Sequence, residues 1–137
     1  MAPRRRVLAA LAGATCAPLL HAADANAIDL RWIAQAQRQR QRALSWDDQP
    51  YGAVVVVEGQ LVGEGPSRVV QLNDPNAHAE RIAIADALSR LQRTTLAGGT
   101  LYSTSRPCRV CEAAAARAGI SRLVFGEQAS DGGAPRP

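Results

Sequence analysis

Six residues, Gly52 to Val57, constrain the fold more than any other part of the chain. They read Gly-Ala-Val-Val-Val-Val and include no polar side chain. Valine branches at Cβ and therefore favours an extended strand. The lack of alternation between polar and apolar residues indicates a strand with both faces buried, so helices are expected on both sides of its sheet. With 137 residues, the chain has the length of one such domain.

Apolar spacing and turn residues predict the elements on either side of this strand. The predicted helices cover 27–44, 77–91 and 108–118, and the further strands cover 61–64, 100–104 and 120–125. The polar segment Asn73-Asp74-Pro75-Asn76 is expected to cap the second helix. The order α-β-β-α-β-α-β predicts a three-layer α/β/α sandwich with a mixed sheet. Residues 127–137 contain Gly, Pro and polar side chains and are expected to form a loose tail.

The first 25 residues have the organisation of an export signal. Arg4-Arg5-Arg6 is followed by a short apolar stretch and then by the small-residue site Ala23-Asp24-Ala25. Gly13 and Pro18 interrupt the apolar stretch and argue against the alternative of an N-terminal core helix. The arginines lie directly before apolar residues, as in a twin-arginine signal. We therefore expect export by that route, a periplasmic or secreted location, and loss of Cys16 with the signal.

The charge balance bears on the partners that a chain like this can bind. The whole chain has a formal net charge of +4, and all 16 basic residues are arginine. After Ala25 there remain 112 residues with 13 arginines and 11 acidic residues, a net charge of +2. Arg38, Arg40 and Arg42 are two residues apart and point in different directions on a helix. We therefore expect that nucleic acid is an unlikely partner, and that the mature domain 26–126 does not bind a membrane.

Two short motifs indicate a metal site. His78-Ala79-Glu80 opens one predicted helix, and Pro107-Cys108-Arg109-Val110-Cys111 opens another. The two cysteines are three residues apart and face one side of a helical turn. Two thiolates and one imidazole leave a tetrahedral zinc ion with one open position, as in catalytic sites. His78, Cys108 and Cys111 are thus the candidate ligands of one zinc ion per chain, and Glu80 is the candidate catalytic residue that moves protons.

A redox function is the alternative interpretation of the two cysteines. A Cys-x-x-Cys motif in an exported protein also occurs in disulfide oxidoreductases. That interpretation requires a thioredoxin-like βαβ context and leaves His78-Ala79-Glu80 without a role. The combination of H-x-E with P-C-x-x-C is instead typical of zinc-dependent nucleobase deaminases, so the metal site is favoured.

At these motifs the chain resembles the cytidine deaminase-like zinc deaminase superfamily, and within it the branch of guanine deaminases and tRNA adenosine deaminases. The matching segments are 50–56, 73–80, 101–104, 107–111 and 122–126. The resemblance implies the zinc ligands and proton shuttle given above, and a homodimer. It also implies that the backbone near Ala53, Ala79 and Cys108 helps to hold a base, and that Ser67 occupies the position of a substrate-contacting residue.

Three departures from the family pattern accompany this resemblance. Ser67 stands where many members have Asn, and Arg106 stands before Pro107 where Glu is usual. The chain is also expected to be short at its C-terminus relative to family members. A cation at position 106 favours the thiolates, but near Glu80 it would hinder proton transfer. Our hypothesis is that Arg106 and Ser67 mark a shifted substrate or a weakened enzyme.

The resulting expectation is a hydrolytic deaminase of a small nucleobase or nucleoside of the guanine or cytosine type. In this scheme a zinc-activated water attacks the amine-bearing ring carbon while Glu80 shuttles protons. Because tRNA is not expected outside the cytoplasm, the export signal argues against tRNA editing. The alternative is a catalytically impaired zinc-binding protein on a deaminase scaffold, since a fold does not determine a function.

Overall fold

A computed structural model describes residues 13–14 and 22–137 of the chain. Most of the predicted export signal, including Cys16, lies outside the described residues, so the signal stays a prediction. The first helix, α1 (Ala22–Ser45), begins earlier than predicted and contains the expected cleavage site after Ala25. Within the described residues, no helix combines the length and apolar character needed to cross a membrane.

The remaining described elements form a mixed sheet and two further helices. The strands are β1 (Gly52–Val57), β2 (Gln60–Pro66), β3 (Thr100–Ser103), β4 (Arg122–Phe125) and β5 (Ser130–Gly133), and the helices are α2 (Ala79–Leu91) and α3 (Arg109–Arg117). The strand order is β2-β1-β3-β4-β5. Strands β3 and β4 run parallel, whereas every other neighbouring pair is antiparallel. The predicted mixed sheet is confirmed.

The alternating residues of β1 pack against different helices, as the apolar run predicts. All six residues of β1 are buried. Val55 and Val57 belong to a cluster with residues of α2 and α3, whereas Val54 and Val56 belong to a second cluster with Ile33 of α1. Helix α1 therefore covers one face of the sheet, and α2 and α3 cover the other. The three-layer α/β/α architecture is confirmed.

A buried ion pair joins α1 to the sheet. The Tyr102 hydroxyl donates to Asp29 Oδ1 at 2.7 Å, and the Arg122 guanidinium donates to both Asp29 oxygens at 2.9 and 2.6 Å. Burial raises the pKa of Asp29, but the hydrogen bonds from Arg122 and Tyr102 outweigh it and hold that pKa below its ordinary value. The N-terminal half of α1 is thus part of the domain.

Two glycines in β2 allow α2 to pack directly on the strand. A Cβ at Gly65 would overlap the Ala79 carbonyl oxygen and lie 2.5 Å from the Ala83 nitrogen. A Cβ at Gly63 would likewise overlap the Ala83 carbonyl oxygen and lie 2.7 Å from the Ala87 Cβ. The absence of side chains at these positions brings the first turn of α2 against the sheet. This contact places His78 and Glu80 beside the end of β3.

The predicted loose tail contains a strand. Residues Ser130–Gly133 form β5, which pairs with β4 and extends the sheet by one strand. Asp131 accepts a hydrogen bond from Arg122 Nε at 3.2 Å, and the nearby Ala129 is buried. All four residues of β5 are exposed and two are glycine, so the sequence has none of the apolar alternation that marks a strand. Pairing with β4, rather than local propensity, creates this element.

Candidate metal centre and active-site cleft

The two predicted ligand motifs lie at the N-termini of two neighbouring helices. His78 is the N-cap of α2 and Cys108 is the N-cap of α3, both with extended backbone angles. The Cys108 sulfur accepts a hydrogen bond from the Cys111 amide at 3.5 Å. Because α2 and α3 pack on the same face of the sheet, their first turns bring these residues together.

The N-cap of α2 in the structure is not the one that the sequence predicted. Residues 73–76 form a turn before the helix, in which Asp74 Oδ1 accepts from the Asn76 amide at 2.9 Å. His78 is the capping residue, and its side chain makes no capping hydrogen bond. The prediction that residues 73–76 cap this helix is therefore wrong. The imidazole instead lies next to the two cysteine sulfurs, as a metal ligand requires.

The distances between the three side chains fit one zinc ion. His78 Nδ1 lies 3.3 Å from Cys111 Sγ and 3.6 Å from Cys108 Sγ, and all three ligand atoms lie within 4.8 Å of one another. Zinc–sulfur bonds of about 2.3 Å and a zinc–nitrogen bond of about 2.0 Å place the ligand atoms about 3.5 Å apart in tetrahedral geometry. The donor set and its spacing therefore fit a three-ligand zinc centre.

The two cysteine thiols differ in burial. Cys111 is fully buried, whereas Cys108 is exposed. Burial raises the pKa of the Cys111 thiol, and the nearby Glu80 carboxylate raises it further. Because zinc binds thiolates, binding of the metal must displace that proton.

Glu80 is held beside the metal ligands by a buried serine. The Ser103 hydroxyl donates to Glu80 Oε1 at 2.7 Å, and the two residues are 0% and 5% exposed, respectively. Ser103 is the last residue of β3, next to the site. The sequence did not single out Ser103 as a functional residue, because a serine at a strand end has no distinctive spacing. Its hydrogen bond orients the carboxylate that was predicted to move protons.

His78, Glu80 and Cys108 line an open cleft. The cleft has a volume of about 570 Å³, within the size range of small-molecule sites. It is lined by Gln49, Tyr51, His78, Ala79, Glu80, Ser105, Arg106 and Cys108. Gln49, Tyr51 and Ser105 were missed from the sequence because they lie on loops that only the folded sheet brings together.

The three predicted substrate-contacting residues lie in different places. Ala79 lines the cleft. Ala53 is fully buried in the core, where it pairs with Ser103 across the sheet. Ser67 is also buried, and its hydroxyl donates to Asp48 Oδ1 at 2.9 Å. A role of these three residues in binding substrate stays a prediction.

Arg106 lies at the edge of the cleft, with its guanidinium over Phe125. The guanidinium carbon is 5.5 Å from the ring centre, a distance at which a cation is attracted to an aromatic face. Across the described residues, Arg106 forms no ion pair with Glu80. The inhibitory contact considered from the sequence is therefore absent from this part of the chain.

Comparison with known families identifies the class of protein that these features define. The model of the cytidine and deoxycytidylate deaminase zinc-binding region matches residues 26–127. The chain belongs to this family. The predicted superfamily and zinc as cofactor are confirmed.

Two curated relatives show which members of the family the chain is similar to. The chain is 38% identical over 90 residues to the tRNA-specific adenosine deaminase of Aquifex aeolicus. The aligned residues make up 66% of this chain and 60% of that protein. It is 42% identical over 88 residues to the tRNA-specific adenosine deaminase of Agrobacterium fabrum, covering 64% and 58%. The chain thus spans about three fifths of the length of these relatives.

Two solved structures have the same fold. A structure from work on A-to-I editing by tRNA:A34 deaminases has a TM-score of 0.67 and 36% identity, covering 70% of each chain. Guanine deaminase from Bacillus subtilis has a TM-score of 0.65 and 32% identity, covering 70% of this chain and 61% of that one.

The relatives correct one prediction. Nucleic acid was expected to be an unlikely partner, but both curated relatives compared above are named tRNA-specific adenosine deaminases, so that expectation is wrong. The physical reason is that net charge averages over the whole surface. Arginines at positions 106, 109 and 136 lie together beside the cleft, although the total charge is small. The homodimer and the location outside the cytoplasm stay predictions.

Proposed function

We propose that the chain catalyses zinc-dependent hydrolytic deamination of an adenine base carried by RNA of the tRNA type. The observation that carries the proposed reaction is the cluster of three candidate metal ligands, two of which line one cleft together with Glu80. The similarity to tRNA-specific adenosine deaminases supports the proposed substrate. This substrate replaces the free guanine or cytosine-type base expected from the sequence. Because tRNA is not expected outside the cytoplasm, the proposed substrate and the predicted export exclude one another.

The residues of the cleft divide the chemistry between them. His78, Cys108 and Cys111 would hold the zinc ion, which when bound supplies a Lewis acid that activates water at neutral pH. Glu80 would accept one proton from the attacking water and deliver it to the ring nitrogen beside the amine-bearing carbon. It would then take the second proton from the hydroxyl group added to that carbon and give it to the departing amine. Water thus supplies the carbonyl oxygen, the carbon–nitrogen bond breaks, and ammonia leaves.

Burial and hydrogen bonding prepare Glu80 for this role. Its Oε1 is fixed by the hydrogen bond from Ser103, so the carboxylate keeps one orientation relative to the metal ligands. A carboxylate held in place next to the reacting atoms can transfer protons without reorganising. Ser103 is therefore a positioning residue, whereas Glu80 is the proposed catalytic residue.

The mouth of the cleft favours a substrate base that is part of an RNA strand. Tyr51 lines the cleft and is 42% exposed. An exposed aromatic ring beside a catalytic cleft can stack on a base next to the reacting one, as aromatic side chains do in single-strand binding.

The proposal is tested by assaying the zinc-loaded protein on an anticodon stem-loop RNA, adenosine, guanine and cytidine. We expect inosine in the RNA, and a loss of about 100-fold or more in Glu80→Gln with zinc content unchanged. Glu58→Gln, which removes an exposed carboxylate in the turn between β1 and β2, is the matched control and should retain activity. Product from guanine alone would refute the proposed substrate. Zinc binding without turnover of any substrate would refute the enzyme and favour the impaired scaffold.

A further inference from the structure

A second cavity adjoins the active-site cleft at Arg106. It has a volume of about 340 Å³ and is lined by Arg106, Pro107, Arg109, Glu112, Arg136 and Pro137. Arg106 lines both this cavity and the cleft. A ligand that extends from the cleft into the second cavity must therefore pass this guanidinium.

The side chains of the second cavity carry a surplus of positive charge. Three guanidinium groups and one side-chain carboxylate, that of Glu112, line it. Glu112 Oε1 accepts from the Arg136 amide at 3.0 Å and from Arg136 Nε at 3.1 Å, which leaves the terminal nitrogens of Arg136 outside that contact. In the part of the chain that the structure describes, Arg106 and Arg109 form no ion pair with a carboxylate. Arg106 attracts Glu112 electrostatically from beyond ion-pair distance. Neither guanidinium donates a hydrogen bond to a carboxylate among the described residues, and two such groups at one cavity match the chemistry of a phosphate.

The cavity on the opposite side of the cleft has no surplus of positive side-chain charge. A third cavity of about 350 Å³ shares Tyr51 and Ser105 with the cleft. Its arginine, Arg40, donates from Nε to the Pro50 carbonyl at 3.1 Å, and Glu127 contributes an opposing charge to its lining. The three cavities therefore lie in sequence, with surplus positive charge on the Arg106 side. A free base needs only the central one, whereas a strand can occupy all three.

We infer that Arg106, Arg109 and Arg136 form a subsite for a phosphate attached to the nucleoside whose base enters the cleft, or to its neighbour. This inference rests on the proposed function, because it requires a base in the cleft. It gives Arg106 a role in binding substrate, at the position where the family usually has Glu. The source of the phosphate is the backbone of an RNA strand, since the cavities continue on both sides of the cleft.

The test uses a pentaribonucleotide with a central adenosine and four analogues, each with one linkage replaced by an uncharged methylphosphonate. Binding is measured by fluorescence anisotropy to the zinc-loaded Glu80→Gln protein, which prevents turnover. In that background, neutralising one particular linkage should weaken binding about tenfold. In Arg106→Gln and Arg109→Gln the same replacement should have less than about a twofold effect, and the salt dependence should fall by about 0.7 per lost contact.

Arg117→Gln is the matched control, because Arg117 lies in the last turn of the same helix and lines none of the three cavities. It should leave the affinity of the RNA and the effect of each neutral linkage unchanged. Adenosine 5′-monophosphate and adenosine form a separate arm. If the monophosphate binds as tightly as the RNA, a free nucleotide rather than a backbone is the source of the phosphate, and the backbone assignment is overturned.

The inference is overturned if each neutral linkage weakens the parent and the arginine variants equally, or if the RNA does not bind. It is also overturned if Arg117→Gln weakens binding as much as Arg106→Gln. These outcomes are separate from those of the proposed function, which is measured as inosine formation with Glu80 intact. Linkage-specific binding without product would support the subsite and refute the reaction. Product from adenosine without RNA binding would do the reverse.

Discussion

The floor of the active-site cleft and its rim are built in different ways. The floor consists of the metal ligands, Glu80 and Ser103, which lie at two helix N-termini and the end of β3. The rim consists of side chains on loops, and Tyr51 and Arg106 there are exposed. In the floor, Glu80, Ser103 and Cys111 are buried, so we expect that replacing any of them costs the metal or the chemistry. Exposed loop residues can vary and so determine which substrate is accepted.

This difference predicts that a substitution in the floor has the largest effect. Cys111→Ala removes a fully buried zinc ligand and should lower the zinc affinity by more than about 100-fold, with complete loss of turnover. Metal analysis of the purified protein and a competition assay with a chelator measure the effect. Val110→Ala, at an exposed neighbouring position of the same helix, should keep one zinc ion per chain. A Cys111→Ala protein with normal zinc content would show that the floor is not a metal centre.

A substitution in β2, the strand on which α2 packs, should have nearly as large an effect. Gly65→Ala places a methyl group against the backbone of the first turns of α2 and should reduce the free energy of unfolding by about 2 to 3 kcal/mol. It should also reduce zinc affinity, since α2 begins next to His78. Urea unfolding measures the first effect, with Gln60→Ala in the same strand as a control expected within about 0.5 kcal/mol of the parent. Equal stability of the two variants would contradict the close contact.

Asp48, next to the rim residue Gln49, should make a pH-dependent contribution to the free energy of unfolding. Burial raises the pKa of Asp48, but hydrogen bonds from the Gln71 and Gln49 amides and from Ser67 outweigh it and hold that pKa below its ordinary value of 3.8. The carboxylate therefore stabilises the fold at pH values above 3.8, and this contribution is lost as the pH falls through the lowered pKa.

The corresponding variant is Asp48→Asn. At neutral pH it should lower the free energy of unfolding by about 1 to 2 kcal/mol, and the difference from the parent should shrink as the pH falls below about 4. Denaturant unfolding at several pH values measures this. Asp47→Asn, at the exposed neighbouring position, should follow the parent throughout. A difference for Asp48→Asn that stays constant down to pH 2 would be evidence against the role of its charge.

The smallest effect on stability is expected at Arg106. Its contact with Phe125 is exposed, so Arg106→Gln should change the free energy of unfolding by no more than about 0.5 kcal/mol. Thermal unfolding with zinc bound provides the measurement. A loss above 2 kcal/mol would mean that Arg106 supports the floor and would remove the distinction between the two regions.

Much of the fold was predictable because its signals are local. The valine run predicted a strand buried on both faces, and β1 has the predicted limits. The limits of α2 and α3 were nearly correct because apolar spacing marks most of a helix. Strand β5 was missed because its residues are exposed and glycine-rich. The N-cap position of His78 was missed because its side chain makes no capping hydrogen bond and lies beside the cysteine sulfurs instead.

The sequence alone identified His78, Cys108 and Cys111 as candidate metal ligands and Glu80 as the candidate catalytic residue, because short motifs at helix starts place side chains through local geometry. The tertiary structure decided the rest of the site. Tyr51 lies just before β1, whereas Ser103 and Arg106 lie at and just after the end of β3. Antiparallel pairing of β1 with β3 brings Tyr51 to the same edge, and parallel pairing of β3 with β4 brings Phe125 there. The same pairing concentrates arginines beside the cleft in a chain of low net charge. Contacts between distant segments have no local pattern, so only the folded chain shows them.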